Sequence, residues 1–337
     1  MHSEQNVMVF VEQYENRIAD VSRELLSKAR ELADQLGGEV QAGALGDSGL
    51  GAELSALGSF GCDRVFYMQD QRLARYSSVP YARGLCRIVQ EFSPRFLLFG
   101  ASTLGRDLAP RVASQLRCGL TADCTDLQIG EHKSKGTVYK DILLQIRPAF
   151  GGNIIATIVS PESRPSMATV REGVMKKHKL PGDPQAEVIE VPSNIRDEDL
   201  LTQILAVEKV EKAVDLKAAK IIVSAGMGAS SPESLQLVKE LAQVLGGAVG
   251  ASRPVVDGGY LGKEHQVGQT GTTVRPNLYI ACGISGQIQH RAGITEAHRI
   301  IAINKDPQAP IFECAHYAIV GDVNEVLPKM IKAYKEV

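Results

Sequence analysis

The amino-acid sequence predicts an α/β protein of two domains, each built on a parallel β-sheet. Short apolar runs alternate with segments of helical periodicity in both halves of the chain, which is typical of strands joined by crossover helices. The length of 337 residues is enough for two cores. Residues 181–198 contain three prolines and little periodicity, and the stretch that follows is charged and irregular. We therefore expect a boundary near residue 206, between domains at 1–206 and 207–337.

The first half begins with a regular alternation of strands and helices. Strands are predicted at Val7 to Val11, Val40 to Leu45, Arg64 to Met68 and Arg95 to Phe99. Helices are predicted from Val21 to a stop at Gly37-Gly38, over Tyr81 to Phe92, and around Leu108, Val112 and Leu116. The segment from Thr137 to Val159 is rich in β-branched residues and contains Gly151-Gly152, so we expect it to add antiparallel strands to the same sheet.

The second half restarts the alternation and predicts a doubly wound parallel sheet. Its predicted strands are Lys220 to Ser224, Ala248 to Ala251, Leu278 to Cys282 and Ile300 to Ile303. Ser231 is a favourable N-cap and Pro232 suits the first helical position, so a helix should begin there and end at Gly246-Gly247. A last helix is predicted from about Asn324 to Tyr334.

Composition and charge disfavour several classes of protein. With 37 basic and 39 acidic side chains, the formal charge is −2, which gives no basic excess to neutralise nucleic-acid phosphates. Trp is absent and aromatic residues make up 5%, too few for base-stacking platforms. No apolar run reaches 18 residues, and the N-terminus lacks the pattern of a signal peptide. We expect a cytoplasmic protein without membrane insertion.

The cysteines and the short motifs give little support for catalysis. The six cysteines have no spacing typical of zinc or iron–sulfur sites, and we expect them to be reduced thiols that pack as small apolar side chains, with no metal bound. The phosphate-loop, dinucleotide-fingerprint, serine-hydrolase and zinc-protease signatures are all missing. We therefore assign no catalytic residue and favour a binding function.

A ligand site is predicted where the strands of the second half end. In doubly wound sheets, ligands lie beyond the carboxyl ends of the strands. Four such ends carry glycines and hydrogen-bonding side chains, in the segments 252–253, 267–271, 283–290 and 304–306. Together they suggest a cleft for a phosphate-bearing nucleotide. The alternatives stay open: Gly and Ser can simply form turns, Arg253 can form a surface ion pair, and His290 can be an ordinary, partly buried histidine.

Longer motifs then resemble a known family. The runs GASRPVVD, HQVGQTGTTVRPNLYIACGISGQIQHRAGI, AINKDPQAPIF and IVGD are similar to the α subunit of electron transfer flavoproteins, and FGASTLGRDLAPRVASQL, GLTADCTDL and RPAFGGN extend the resemblance to the N-terminal half. The resemblance implies an N-terminal domain of the adenine-nucleotide-hydrolase-like type that has lost hydrolysis and packs on a β subunit. It also implies a C-terminal domain that binds FAD.

The resemblance also implies which residues bind FAD. Ser252 and Arg253 would lie beside the flavin, Gln269 and Thr270 near its N5 edge, and His290 near N1 and C2=O. There, a cation or strong donor would stabilise the reduced flavin, and His290 and Arg253 are the candidates, because both donate and Arg is always charged. The loop from Ser285 to His290 would also serve the phosphates, and Asn304 and Asp322 the adenosine end. The complete predicted set is Ser252, Arg253, Val267, Gly268, Gln269, Thr270, Gly271, Ser285, Gly286, Gln287, Ile288, Gln289, His290, Asn304 and Asp322.

Two positions depart from the family pattern. Met227 replaces the arginine of a glycine-arginine-glycine turn, which removes a cationic FAD contact. His316 stands between Ala315 and Tyr317, where many members have Asp.

The resemblance implies a carrier rather than a stand-alone enzyme, and two functions remain open within the family. In the first, the heterodimer passes electrons from acyl-CoA dehydrogenases to a further acceptor. In the second, it bifurcates electrons: NADH is oxidised at a second FAD in the β subunit, and ferredoxin or flavodoxin is reduced together with an acyl-CoA dehydrogenase. The motifs GQTGTTVRP, LYIACGIS and RPAFGGN resemble members from anaerobic and nitrogen-fixing bacteria, some of which bifurcate. A stand-alone nucleotide-binding sensor is a weaker third alternative.

Overall fold

The computed structural model describes residues 5–134, 136–149, 154–207 and 214–335. The chain divides into two compact units, Met1–Ala206 and Val207–Val337. Each unit is an α/β structure on a parallel sheet, which confirms the predicted fold class. Within the ranges given above, every helix is either too short or too polar to cross a lipid bilayer.

The N-terminal unit contains twelve strands and four α-helices among its described residues. The strands are β1 (Val7–Val11), β2 (Gln13–Tyr14), β3 (Arg17–Ile18), β4 (Val40–Gly46), β5 (Arg64–Gln69), β6 (Phe96–Gly100), β7 (Leu120–Cys124), β8 (Asp126–Ser134), β9 (Thr137–Ala149), β10 (Ile154–Ile158), β11 (Ser166–Val170) and β12 (Glu187–Glu190). The helices are α1 (Asp20–Leu36), α2 (Gly51–Ser55), α3 (Ser78–Phe92) and α4 (Thr103–Leu116), with 3₁₀ turns at Ser48–Leu50, Ala56–Phe60, Gln71–Leu73 and Asp197–Asp199.

Seven parallel strands form the central sheet of this unit, in the order β12-β5-β4-β1-β6-β11-β7. The middle strand, β1, is buried on both faces, as parallel strands covered by helices usually are. Val7 and Val9 belong to the core that includes α1, whereas Met8 and Phe10 belong to the core that includes α3 and α4. This period of two explains why an uninterrupted apolar run predicts the strand correctly.

The antiparallel strands do not extend that sheet, so this expectation is wrong. Strands β8, β9 and β10 form a separate sheet in the order β10-β9-β8. Both edges of β9 are occupied, by β8 and β10, and none is left for the parallel strands. Leu127 and Leu143 from this small sheet are buried in the core that includes α1. Gly151 and Gly152 lie outside the described residues.

The C-terminal unit has the predicted doubly wound order. Its strands are β13 (Ile221–Ala225), β14 (Ala248–Ala251), β15 (Leu278–Cys282), β16 (Arg299–Asn304) and β17 (Tyr317–Val320), and its helices are α5 (Pro232–Val244), α6 (Arg253–Asp257), α7 (Ile288–Arg291) and α8 (Val323–Lys335), with 3₁₀ turns at Met227–Ala229, Lys263–His265 and Pro310–Cys314. The sheet order is β14-β13-β15-β16-β17, with every pair parallel. The chain runs from β13 to β14 on one side and returns to β15 on the other.

The predicted helix signals and thiols are confirmed. Ser231 caps α5 by accepting the Ser234 backbone N–H at 3.1 Å, and Gly246 has a φ of 64° just beyond the helix end. All six cysteines are described, and each is a free thiol. Cys282 is fully buried in the sheet, and this burial raises the pKa of its thiol to about 12, so it packs as an apolar side chain.

Candidate functional site

The carboxyl ends of the five C-terminal strands form one continuous edge. Because the strands are parallel, the segments that follow them emerge together: Ser252 after β14, Gly226 after β13, Gly283 after β15, and Gly321 after β17. At about 4.8 Å between neighbouring strands, this edge is about 19 Å wide, which suits an extended dinucleotide. The order of the strands reverses between β13 and β15, and this reversal is where ligands bind in open α/β sheets.

Two glycine turns meet at that reversal. The backbone N–H of Gly226 donates to Cys282 O at 2.8 Å, and that of Gly228 donates to Gly283 O at 3.0 Å. A Cβ atom on Gly226 would lie 2.2 Å from Gly283 O, so no larger residue fits without moving the backbone. Gly283 itself has a φ of 63°. These turns keep side chains out of the middle of the edge, and the space that a Cβ would take is filled by the backbone of the other turn.

The loop at 267–271 packs against the loop at 285–290, as the prediction of a common cleft requires. Gln269 N–H donates to Gln289 O at 2.8 Å, and Val267 N–H donates to Ala251 O at 2.9 Å. Gly268 is buried, with a φ of 137° that favours glycine. Within these loops, Gln269, Thr270, Gly271, Ser285, Gln287 and Gln289 are exposed. The structure therefore brings two segments of the predicted set together with their polar side chains accessible.

Ser252 and Arg253 begin the next part of the edge. Ser252 is buried, and its N–H donates to Ala225 O at 2.9 Å. Arg253 is exposed and donates from Nε to Asp257 Oδ2 at 3.1 Å. Sequence reasoning missed Asp257 as the partner of Arg253. The i,i+4 spacing of the two residues was the available signal, but only once α6 is known to be helical.

His290 lies inside the fold and is neutral. Its Nε2 is 3.0 Å from the hydroxyl oxygen of Tyr279, a fully buried residue of β15, and its Nδ1 is buried as well. Burial lowers the pKa of the His290 imidazole to about 4. The charged form is disfavoured because it would have to lie in an apolar interior, so the predicted role of His290 as a donor would be that of a neutral imidazole. Tyr279 was missed, since its position in an apolar run predicted only packing.

Asn304 and Asp322 lie at the far end of the edge and support the local backbone. Asn304 Nδ2 donates to Ile284 O at 2.9 Å, which ties β16 to the turn after β15. Asp322 Oδ1 accepts the Asn324 N–H at 2.8 Å, at the start of α8, and its Oδ2 is 2.8 Å from Lys305 Nζ. A hydrogen bond from Lys305 lowers the pKa of the Asp322 carboxyl.

Comparisons with known proteins agree with this arrangement. Residues 7–195 match the family model described as electron transfer flavoprotein domain, and residues 215–295 match that of the electron transfer flavoprotein FAD-binding domain. The electron transfer flavoprotein subunit alpha of Thermoanaerobacterium thermosaccharolyticum is 46% identical over 337 residues, which cover 100% of this chain and 99% of the relative. This chain belongs to the electron transfer flavoprotein alpha-subunit family.

Other relatives match over almost the whole chain. Protein FixB of Clostridium saccharobutylicum is 46% identical, over 98% of this chain and 96% of the relative. The acryloyl-CoA reductase electron transfer subunit beta of Anaerotignum propionicum is 42% identical, over 100% of this chain and 97% of the relative. Membership of an electron transfer flavoprotein family means that the chain functions in electron transfer with a flavin cofactor. The glycine turns place backbone rather than side chains at the centre of the edge, which fits such a ligand.

The two departures from the family pattern have different consequences. Met227 lies in the first glycine turn and is half exposed, so an apolar side chain stands at the edge of the site. His316 Nδ1 accepts the Ile300 N–H at 3.1 Å, and His316 N–H donates to Ile300 O at 2.8 Å. A histidine nitrogen thus serves as an acceptor for a strand N–H, a role that an aspartate can also perform.

The contact between the glycine turns is tested by Gly283→Ala, with Gly246→Ala as the matched control. The two glycines have φ values of 63° and 64°, but a Cβ on Gly283 would lie 2.6 Å from Gly228 C, whereas nothing lies within 4 Å of one on Gly246. We expect Gly246→Ala to cost about 1 kcal/mol and Gly283→Ala about 2–4 kcal/mol, measured by urea unfolding. Equal costs would show that the turns do not press on each other.

The burial of His290 predicts a pH dependence of stability. The pKa of this histidine is about 6.5 when exposed, and burial lowers it to about 4, so its protonation favours the unfolded chain. Above about pH 6.5 the histidine is neutral in both the folded and the unfolded chain, and the free energy of unfolding is at its full value. It decreases as the pH falls towards 4, and the loss is about 2 kcal/mol at pH 5. Urea unfolding at pH 7 and pH 5 should show a smaller loss for His290→Gln than for the unaltered protein. The same loss in both would contradict a buried neutral imidazole.

Proposed function

We propose that this chain is the α subunit of a heterodimeric electron transfer flavoprotein that binds FAD at the edge of the C-terminal sheet and carries electrons between acyl-CoA dehydrogenases and a further redox partner. The observation that carries this proposal is the glycine-lined reversal point between β13 and β15, in the part of the chain that matches the FAD-binding family model. Its width and its exposed polar loops favour a dinucleotide over a mononucleotide.

The N-terminal unit is proposed to pair with a β subunit. The small antiparallel sheet ends in β10, where Ile154 and Ile155 are 53% and 72% exposed, so its outer strand presents apolar side chains. Such side chains on a strand edge that pairs with no other described strand favour contact with another chain. The unit's own parallel sheet is already covered on both faces, by the core that includes α1 and by the core that includes α3 and α4.

The proposed task of the protein is to hold and tune the cofactor. FAD, when bound, supplies the redox chemistry, and the protein supplies orientation and electrostatics. Arg253 is the permanent positive charge of the predicted site, and Asp257 holds its Nε while leaving the outer nitrogens without a partner among the described residues. His290, being neutral, is proposed to contribute shape and hydrogen bonding rather than charge. Arg253 therefore carries the electrostatic preference for a reduced, more negative flavin.

Replacing Arg253 by Ala should lower the one-electron potential of the bound flavin. A charge-assisted hydrogen bond contributes about 1.5–3 kcal/mol, which corresponds to about 60–130 mV for one electron. Asp257→Asn should shift the potential the other way, because it removes the carboxylate that pairs with the guanidinium. The measurement is a redox titration of the purified heterodimer.

The matched control is Arg299→Ala, which removes the same charge at the amino end of β16. This end lies at the edge of the sheet opposite to the candidate site. It should leave the potential unchanged. If Arg253→Ala and Arg299→Ala give the same potential, Arg253 has no part in tuning the flavin.

Electron bifurcation is the second proposed function. One relative is named as the electron transfer subunit of acryloyl-CoA reductase, and others are FixB proteins, including that of Azorhizobium caulinodans at 41% identity. These names favour the branch in which NADH is oxidised at a second FAD in the β subunit, with ferredoxin or flavodoxin and an acyl-CoA dehydrogenase as acceptors. The residues that would bind the second FAD belong to the other chain.

Counting flavins separates the two functions. We expect the complex purified with its β subunit to be yellow. One FAD per heterodimer together with one AMP would support the simple carrier, whereas two FADs and reduction by NADH would support bifurcation. The measurement is the flavin absorbance of a denatured sample against its protein concentration. A colourless complex that takes up no added FAD would contradict both.

A further inference from the structure

The N-terminal unit has a reversal point of its own, between β1 and β6. The chain leaves β1 for β4 and β5 on one side of the sheet, then returns through α3 to β6 on the other side. The crevice outside the carboxyl ends of two such strands is the ligand position of open parallel sheets. Glu12 directly follows β1, and Ser102 follows β6, so both residues lie at this position.

The carboxyl group of Glu12 lies at the start of a helix there. Glu12 is 5% exposed, and its Oε2 accepts a hydrogen bond from Ser102 Oγ at 2.6 Å. Ser102 is the N-cap of the 14-residue helix α4, and its Oγ in turn accepts the Gly105 N–H at 2.9 Å. A helix N-terminus favours an anion through its free N–H groups and its dipole. The protein's own carboxyl group therefore stands where the phosphate of a ligand would be stabilised.

Two glycines provide the space for this carboxyl group. A Cβ on Gly100 would lie 2.7 Å from Glu12 Oε1, and a Cβ on Gly105 would lie 3.1 Å from the same atom. Oε1 is buried and has no hydrogen-bond partner among the described residues. An unsatisfied buried oxygen costs stability, so simple packing does not account for an acidic residue at this place. Burial, together with repulsion from Glu172, raises the pKa of Glu12 to about 7.

We propose that Glu12 is an internal substitute for a nucleotide phosphate, which occupies the anion position of the N-terminal unit and closes this unit to nucleotides. The side chain fills the crevice and engages the Ser102 hydroxyl that a phosphate would otherwise use. Its negative charge in weakly alkaline solution also opposes a second anion. Nucleotide binding by this chain is thereby left to the C-terminal unit. The proposal depends on no property of the flavin site.

Glu12→Ala should open the site. The probe is AMP, added to the FAD-loaded heterodimer at pH 8, and the measurement is bound AMP per heterodimer by equilibrium dialysis. We expect one more equivalent of AMP than the unaltered protein binds, and we expect inorganic phosphate to compete with it. The double variant Glu12→Ala with Ser102→Ala should lose this additional binding, because the hydroxyl at the helix N-terminus is then missing.

Glu12→Gln is the matched control. Its amide has nearly the same volume as the carboxyl group and still fills the crevice, so it should bind no additional AMP. Additional AMP bound by Glu12→Gln, or none bound by a folded Glu12→Ala complex, would overturn the proposal. Flavin absorbance, which should be the same in all variants, shows that the complex is intact.

The unaltered protein provides a second test that needs no variant to fold. Photolabelling with 8-azido-AMP at pH 8, followed by peptide mapping, should leave residues 96–116 unlabelled, because Glu12 excludes the nucleotide from β6 and α4. Labelling of those residues that excess AMP prevents would show an open nucleotide site and would refute the internal substitute.

Discussion

The candidate flavin site depends on the direct contact between two backbone turns, Gly226–Gly228 and the turn at Gly283. The backbone N–H groups of Gly226 and Gly228 donate to Cys282 O and Gly283 O and so join β13 to β15 at the reversal of the strand order, and no Cβ atom fits between the two turns. Without side chains at the centre of the sheet edge, a ligand can reach the backbone, and the polar loops at 267–271 and 285–290 can close around it. The centre of the site thus depends on the absence of side chains at the glycines, and the polar side chains of the site lie at its periphery.

The electrostatics of the site follow from burial. His290 and Arg253 are both expected to donate to the ligand, and the interior position of His290 next to Tyr279 favours a neutral imidazole. Arg253, in contrast, is exposed and pairs with Asp257. Arg253 is thus the exposed cation of the predicted site set, and an exposed ion pair of this kind changes readily when a ligand or a second subunit covers it.

The sequence correctly predicts the elements whose structure follows from their own residues, such as buried strands and helix ends. The strands at 7–11 and 278–282 are apolar runs buried on both faces, and Ser231 and Gly246 mark the ends of α5 through their own chemistry. Strand β12 was not predicted, because its EVIE sequence is mostly exposed and is a strand only through pairing with β5. The separate antiparallel sheet was missed for the same reason, since pairing partners are a tertiary property. Among the site residues, the spacing of Arg253 and Asp257 was visible, but the burial of His290 depends on Tyr279, which comes from another element.

Both units of the chain have a reversal of the strand order in their parallel sheet, but the residues that follow the strands there differ. Each has a parallel sheet whose strand order reverses beside a central strand, β1 in one and β13 in the other. After β13 and β15 the chain places glycines whose turns pack directly on each other, with no side chain between them. After β1 it places Glu12, and after β6 a serine that holds the carboxyl group against the helix N-terminus. Glycines also occur at the closed point, at Gly100 and Gly105, but there they make room for an internal side chain. A glycine at a reversal of the strand order therefore indicates only that a neighbouring group needs the space of its side chain. The residues around it determine whether that group is a ligand or part of the protein.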